Sequence, residues 1–98
     1  MITNTDSKII EHKIHTINNK IDLFQERLEH FPTNVRGDFT TVLRDLKRKR
    51  EKLKNKFVRL KEASDLVSED LQTGVEMAWD DLNMAYDHAK ERLIKEAS

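Results

Sequence analysis

The residues of this chain best suited to binding chemistry are the lysines and arginines of residues 44–61, which number ten. The same segment holds only two acidic residues, Asp45 and Glu51. Clustered cations bind phosphate by releasing its counterions, so one interpretation of this run is a nucleic-acid interface. The predicted basic patch consists of Lys47, Arg48, Lys49, Lys52, Lys54 and Lys56.

An acidic block follows the basic one and balances its charge. Residues 62–98 hold ten Asp or Glu against three basic residues, and the whole chain has a net charge of zero. Two opposite blocks favour helices that pair with each other, and an acidic helix would compete with phosphate for the lysines. We therefore prefer an internally paired or solvated basic face, and nucleic-acid binding is the alternative.

The histidines offer little to a metal ion or to a reaction. His15 lies four residues after Glu11, but carboxylate-bridged sites in helical bundles use Glu-x-x-His pairs, and no glutamate here has a histidine three residues on. The chain has no cysteine, no serine–histidine–aspartate set and no glycine-rich phosphate loop. The sequence thus predicts no catalytic, cofactor-binding or metal site, and hence a protein that is not an enzyme.

The elements that must position these charges are helices. Apolar side chains recur in alternating steps of four and three from Ile10 to Phe31. That period is typical of a helix whose apolar seam faces a partner helix. Because the residue before Pro32 is disfavoured in helical geometry, the first helix is predicted over about 6–30.

A tight turn is predicted after this helix. Pro32, Asn34 and Gly37 can supply the fixed and the positive backbone angles that a short connection needs, and Asp38 can cap the next helix. Such a turn makes the two flanking helices antiparallel.

The apolar seam resumes at Phe39 and continues to Val67, and Arg50 is its one charged residue. A single polar residue on a seam fixes register and partner number at some cost in stability. In an antiparallel pair Asp22 of the first helix is the expected counter-ion of Arg50.

Whether the second helix breaks near residues 64–74 is the main choice that the sequence leaves open. The apolar period passes through this segment without a proline, and Gly74 lowers helix propensity by only about 1 kcal/mol. The favoured fold is an all-α, coiled-coil-like antiparallel hairpin whose long second helix spans about 38–96. The alternative is a three-helix bundle with a break near 64–74, and in both cases residues 1–98 form a single domain.

The last third of the chain carries two apolar stripes, one of small and one of bulky residues. The small stripe is Gly74, Ala78, Ala85 and Ala89, and the bulky stripe is Val75, Trp79, Leu82, Tyr86 and Leu93. So wide an apolar face needs two neighbouring helices, and uncovered it would be a larger patch than soluble monomers usually expose. We expect the small stripe to allow close backbone approach and the bulky stripe to fill the space opposite.

Two arrangements would cover both stripes. One chain can fold back on itself, or two chains can align antiparallel as a homodimer about an axis near residue 67, which sets Leu53 opposite Leu82 and Phe57 opposite Ala78. The two forms differ by one hinge, as in domain swapping, and we favour the dimer because no turn signal interrupts the period. The residues predicted for self-association and packing are Arg50, Leu53, Phe57, Leu60, Val67, Leu71, Val75, Ala78, Trp79, Leu82, Tyr86 and Leu93.

Residues 60–93 carry a recognisable combination of a charged helix end, an acidic stretch and an alanine- and aromatic-rich helix. The positions that form it are Glu62, Ala63, Ser64, Gly74, Val75, Glu76, Ala78, Trp79, Asp81, Leu82, Ala85, Tyr86 and Ala89. On these positions the chain resembles small bacterial coiled-coil or apolipoprotein-like proteins of unknown function. The resemblance covers about a third of the chain, leaves out the first helix and the Pro32 turn, and implies no catalytic activity.

Composition and patterning place the protein in a broad class. No stretch has the pattern of a secretory signal or approaches a membrane span, so we expect a soluble cytoplasmic protein. Met77 and Met84 could belong to a lipid-binding face, but the neighbouring aspartates would be repelled by anionic lipid, so we expect core packing. The predicted function is a non-enzymatic structural or interaction protein that self-associates through its helices. The alternatives are nucleic-acid binding through residues 44–61 and an amphipathic lipid-surface or stress protein.

Overall fold

The computed structural model describes residues 4–63 and 68–97, with side chains from residue 7 onward, as a bundle of 50 × 20 × 16 Å. Its helices are α1 (Asn4–Leu28), α2 (Thr33–Asp38), α3 (Thr40–Glu62) and α4 (Ser68–Ala97). All regular secondary structure in the described residues is helical, which confirms the all-α prediction. Three long helices surround one apolar core, and α2 is a short helix within the first turn.

The α1/α3 pair is the predicted antiparallel hairpin, and two ion pairs mark its register. Arg50 Nη1 lies 2.9 Å from Asp22 Oδ1, which confirms the predicted counter-ion of the seam arginine. Farther along, Lys61 Nζ lies 3.2 Å from Glu11 Oε1. Both pairs are partly exposed and contribute roughly 0.2–1 kcal/mol each, so the apolar seam beneath them holds most of the register.

The first turn is more helical than predicted. Residues 33–38 form α2, and neither Gly37 nor any other described residue has a positive φ. Pro32 is the N-cap residue of α2, with φ −58° and ψ 156°. Phe39, and not Asp38, occupies the N-cap position of α3. A helical turn therefore replaces the irregular one that the sequence suggested.

The long second helix expected over 38–96 is divided, as in the three-helix alternative. α3 ends at Glu62, Ala63 takes up extended backbone angles (φ −78°, ψ 151°), and α4 begins at Ser68. Residues 64–67, and with them the predicted packing residue Val67, lie outside the described part of the chain. α1 and α3 of one chain cover both stripes of α4, and this burial outweighs the helix propensity of Ala63.

The predicted seams supply the core. Buried apolar residues come from every long helix: Ile10, Ile17, Ile21, Phe24, Leu28, Phe39, Leu46, Leu53, Phe57, Leu60, Val75, Leu82, Ala89 and Leu93. Ile10 lies near Val75 at one end of the bundle, and Phe24 lies near Tyr86 farther along both helices. α1 and α4 are therefore parallel, and α3 is antiparallel to both.

The two stripes of α4 face different helices, as predicted. The small stripe lies against α3, where Ala78 lies beside Lys52 and a Cβ at Gly74 would be 4.0 Å from Lys56 Nζ. The bulky stripe lies against α1, which Trp79 contacts directly. Small residues let the α3 and α4 backbones approach, and aromatic residues fill the wider space beside α1.

The register between α3 and α4 differs from the symmetric expectation. The symmetric alignment of Leu53 with Leu82 would set Lys49 opposite residue 86, but Lys49 Nζ bonds to Asp81 Oδ2 at 2.7 Å. α4 is therefore displaced by five residues, about 7.5 Å, from that alignment. That alignment assumed an axis near residue 67. α3 ends at Glu62 and α4 begins at Ser68, so these two ends are centred near residue 65, and every pair across this interface is shifted accordingly.

Candidate interaction groove

The surface between α1 and α4 forms a groove because aromatic side chains hold these two helices apart. Trp79 donates a hydrogen bond from Nε1 to the carbonyl oxygen of Lys13 at 3.4 Å. Tyr86 meets Phe24 edge to face, with ring centroids 6.3 Å apart. Such rings fill the space between the backbones but leave open volume at their edges.

The end of the groove near the C-terminus of α4 is the more apolar part and has a volume of about 440 Å³. We call it the basic groove, and its lining is Lys20, Leu23, Phe24, Arg27, His30, Phe31, Tyr86, Lys90, Leu93, Ile94 and Ala97. Two aliphatic side chains at its rim face solvent, with Leu23 57% and Ile94 52% exposed. The volume is within the range of small ligand pockets, and the open shape also suits a protein side-chain ridge.

The charge of the basic groove has one sign. The cationic side chains of Lys20, Arg27 and Lys90 line it together with the imidazole of His30, and no Asp or Glu does. Lys20 Nζ lies 5.9 Å from the centre of the Tyr86 ring, a cation–π contact that keeps the ammonium group at the groove. A basic rim around an apolar floor favours a partner that combines apolar and acidic groups.

Tyr86 reports on the environment of this groove. Burial raises the pKa of its phenol above the ordinary value of 10.0, and nearby Asp87 adds to the rise while Arg27 opposes it. Partial burial removes the phenol from water and disfavours its charged phenolate form, which accounts for the direction.

The other end of the groove differs in chemistry. A cavity of about 350 Å³ lies there between Ile9 and Trp79, and its lining mixes Lys13 with Glu76 and Asp80. Lys13 Nζ lies 4.9 Å from the centre of the Trp79 ring. Because both signs of charge are present, this end selects less strongly for the charge of a partner than the basic groove does.

A second exposed apolar feature lies on the outward face of α4. Met77 is 66% and Met84 is 59% exposed, which corrects the expectation that they pack in the core. They point away from the core because Val75 and Leu82 occupy the inward positions of the same helix. We call the surrounding face the methionine ridge, and its exposed residues are Met77, Asp80, Asp81, Met84, Asp87 and Glu91.

The predicted basic patch is spread over several directions around α3. Lys47, Lys52 and Lys54 are exposed, and Lys56 is half-buried beside Gly74. Arg48 bonds to Asp45 of its own helix at 2.6 Å. The other member of the patch, Lys49, forms the ion pair with Asp81, so pairing with the acidic block is sparse among the described residues.

The residues predicted for packing lie in the core or beside it. Leu53, Phe57, Leu60, Val75, Leu82 and Leu93 are buried, and Leu71, Ala78, Trp79 and Tyr86 are partly buried against them. The Arg50 side chain is 27% exposed at the edge of the seam.

Sequence reasoning missed the groove because two of its rim residues stand outside the apolar seams. Leu23 directly precedes the core residue Phe24, and Ile94 directly follows the core residue Leu93. In the sequence each one therefore looks like a mere neighbour of a core position. A signal that could have found it is the absence of acidic residues from the helix face that carries Lys20, Leu23 and Arg27.

Further properties bear on the kinds of site present. Residues 4–63 and 68–97 contain no group of three His, Cys, Asp or Glu residues placed to hold a metal ion. Within the same ranges, no helix combines the length and the apolar character that membrane crossing requires. Comparisons of the chain with protein-family models, with curated proteins and with solved structures found no match.

Proposed function

We propose that this protein is a non-enzymatic structural or interaction protein that self-associates through its helical surfaces. The observation that carries the proposal is the basic groove, whose rim holds Leu23 and Ile94 in solvent. Exposed apolar side chains scattered singly need no explanation, but two at the rim of one groove with an apolar floor are typical of an interaction site.

The composition of the groove supports a protein partner. Aromatic residues and arginine are enriched in the centres of protein interfaces, and Phe31, Tyr86 and Arg27 lie here together. The lysines form a polar rim around them, as in interfaces that associate and dissociate.

Exchange of α4 between copies is a second route to a homodimer. α4 packs on both α1 and α3, and the same contacts would form if it came from another chain. The antiparallel homodimer expected from the sequence belongs to this proposal, as do the coiled-coil character, the cytoplasmic location and the resemblance to apolipoprotein-like proteins.

The test is molar mass in solution by light scattering over a wide range of protein concentration. We expect the mass to rise above the 11.6 kDa of one chain as concentration increases. A variant with Leu23→Asp and Ile94→Asp should need higher concentrations to reach the same mass, because it places charge on the apolar rim.

Val58→Asp is the matched control. Val58 is also exposed, but it lies on α3 outside the groove, so its substitution should leave self-association unchanged. A wild-type mass that stays at 11.6 kDa at every concentration would overturn the proposal.

Nucleic-acid binding is a second candidate, favoured by the exposure of Lys47, Lys52 and Lys54 on α3. Phosphate contacts by lysine make binding weaken steeply with salt. A gel shift with double-stranded DNA should then show a complex at low salt that Lys52→Glu with Lys54→Glu abolishes. A complex that is missing at low salt, or that persists in this variant, would contradict the role.

A further inference from the structure

We propose that the basic groove of one copy binds the methionine ridge of a second copy. This inference rests on the proposed self-association and names the two surfaces that meet. Both surfaces are exposed in the single chain. The groove is lined by basic side chains, and the ridge carries acidic ones.

The apolar parts of the two surfaces fit each other. Met77 and Met84 lie two turns apart on one line of α4, about 10 Å along its axis. Their side chains are unbranched and flexible, which lets them fill an irregular apolar floor. The floor beside Leu23 and Ile94 offers such a surface.

The charges of the two surfaces are opposite. Asp80, Asp87 and Glu91 are exposed on the ridge, and no ion pair within the described chain engages them. The groove presents Arg27 and Lys90. Bringing the surfaces together would pair these groups at the rim while the methionines desolvate the floor.

The dimensions also agree. The α1 wall of the groove runs from Lys20 to the end of the helix at Leu28, which is about 12 Å of helix. The stretch of the ridge between Met77 and Met84 is about 10 Å long, which is no longer than this wall. One helix face can therefore lie along the groove without leaving either methionine uncovered.

Because groove and ridge are different surfaces of the same protein, every copy carries one of each. Two copies can exchange both contacts as a closed pair, or successive copies can add head to tail. The mass reached in solution, twice 11.6 kDa or more, reports which of these forms.

The test reverses the charge of each surface and then of both. The groove variant is Arg27→Glu with Lys90→Glu, and the ridge variant is Asp80→Lys with Asp87→Lys. Either one places like charges at the contact, so sedimentation velocity should show self-association weakened by at least about tenfold. A chain with all four substitutions restores opposite charges and should self-associate as the wild type does.

Lys54→Glu with Arg59→Glu is the matched control for the groove variant. It makes the same charge change outside both surfaces and should leave association unaltered. Circular dichroism would confirm that each variant keeps the helical content of the wild type.

Two results would refute this pairing while the proposed function stands. One is a wild type that self-associates together with groove and ridge variants that do so equally well. The other is a chain with all four substitutions that stays dissociated. A wild type that remains monomeric would leave the groove to an acidic helix of another protein and would overturn the assignment to a second copy.

Discussion

The interface of α4 with α3 and its interface with α1 are built from opposite kinds of residue. On the α3 side, Gly74 and Ala78 let the helices approach until lysine side chains lie directly over α4. On the α1 side, Trp79 and Tyr86 separate the backbones and leave a groove along the surface. α4 thus has a closely packed side against α3, which we call the closed side, and a grooved side against α1, which we call the open side.

The difference teaches where binding capacity arises in a small bundle. Closely packed small residues stabilise the fold but leave no space for a partner. Large aromatic residues also stabilise the fold, yet their edges leave volume that solvent or another protein can occupy. In this protein the open side also collects Arg27 and Lys90, which gives it a charge preference.

Truncating a fully buried core residue of α4 should have the largest effect. Leu82 is fully buried at the centre of the core, so Leu82→Ala should lower the free energy of unfolding by about 3 kcal/mol. Urea denaturation followed by circular dichroism measures the change. Met84→Ala, an exposed position on the same helix, is the control and should have little effect, and equal losses for the two would contradict the placement of α4.

Enlarging a small residue should separate the closed side from the open side. Ala89 is 2% exposed, so Ala89→Leu should destabilise the fold by about 2 kcal/mol through overpacking. Ala97 lines the open groove and is exposed, so Ala97→Leu should be tolerated. Thermal unfolding midpoints of the two variants measure this difference. Equal midpoints would contradict the close packing of the small residues of α4 against α3.

The ion pair between α1 and α3 should contribute less. A double-mutant cycle with Asp22→Asn and Arg50→Gln should give a coupling of about 0.5 kcal/mol, because both groups are partly exposed. High salt should reduce the coupling further. A coupling well above this range would mean that the pair, and not the apolar seam, holds the register.

Tyr86 provides a test of burial on the open side. Its pKa is raised in the folded protein, so the fold favours the neutral phenol. The associated stability is fully present below pH 10.0 and is lost as pH rises through the folded pKa. Because the chain has one tyrosine, an absorbance titration of the tyrosinate band follows this residue alone. Phe24→Ala should move the midpoint down, and a native midpoint at or below that of the denatured chain would contradict the burial.

Much of the helix pairing could be predicted from the sequence. The strict steps of the seams set the α1/α3 register closely enough to identify Asp22 as the partner of Arg50. The small and bulky stripes of α4 likewise indicated that two helices pack on α4 and that one of them lies closer to it than the other. These features depend on which side chains share a face, and helical periodicity fixes that directly.

The break after α3 and the groove could not be predicted in the same way. Ala63 favours a helix, and its extended backbone follows from the gain of covering Trp79 and its neighbours within one chain. The short helix after Pro32 depends on the same kind of tertiary context. The groove arises from how far apart α1 and α4 lie, a distance that rings such as that of Tyr86 set only after packing.

The most direct test of the open groove as the binding surface is a nuclear magnetic resonance dilution series on the wild-type protein. We expect backbone amide signals of residues 20–31 and 77–97 to shift with protein concentration, because the groove and the ridge lie there. Signals of the outward face of α3 should stay constant. Shifts confined to α3, or signals that do not depend on concentration, would contradict the account.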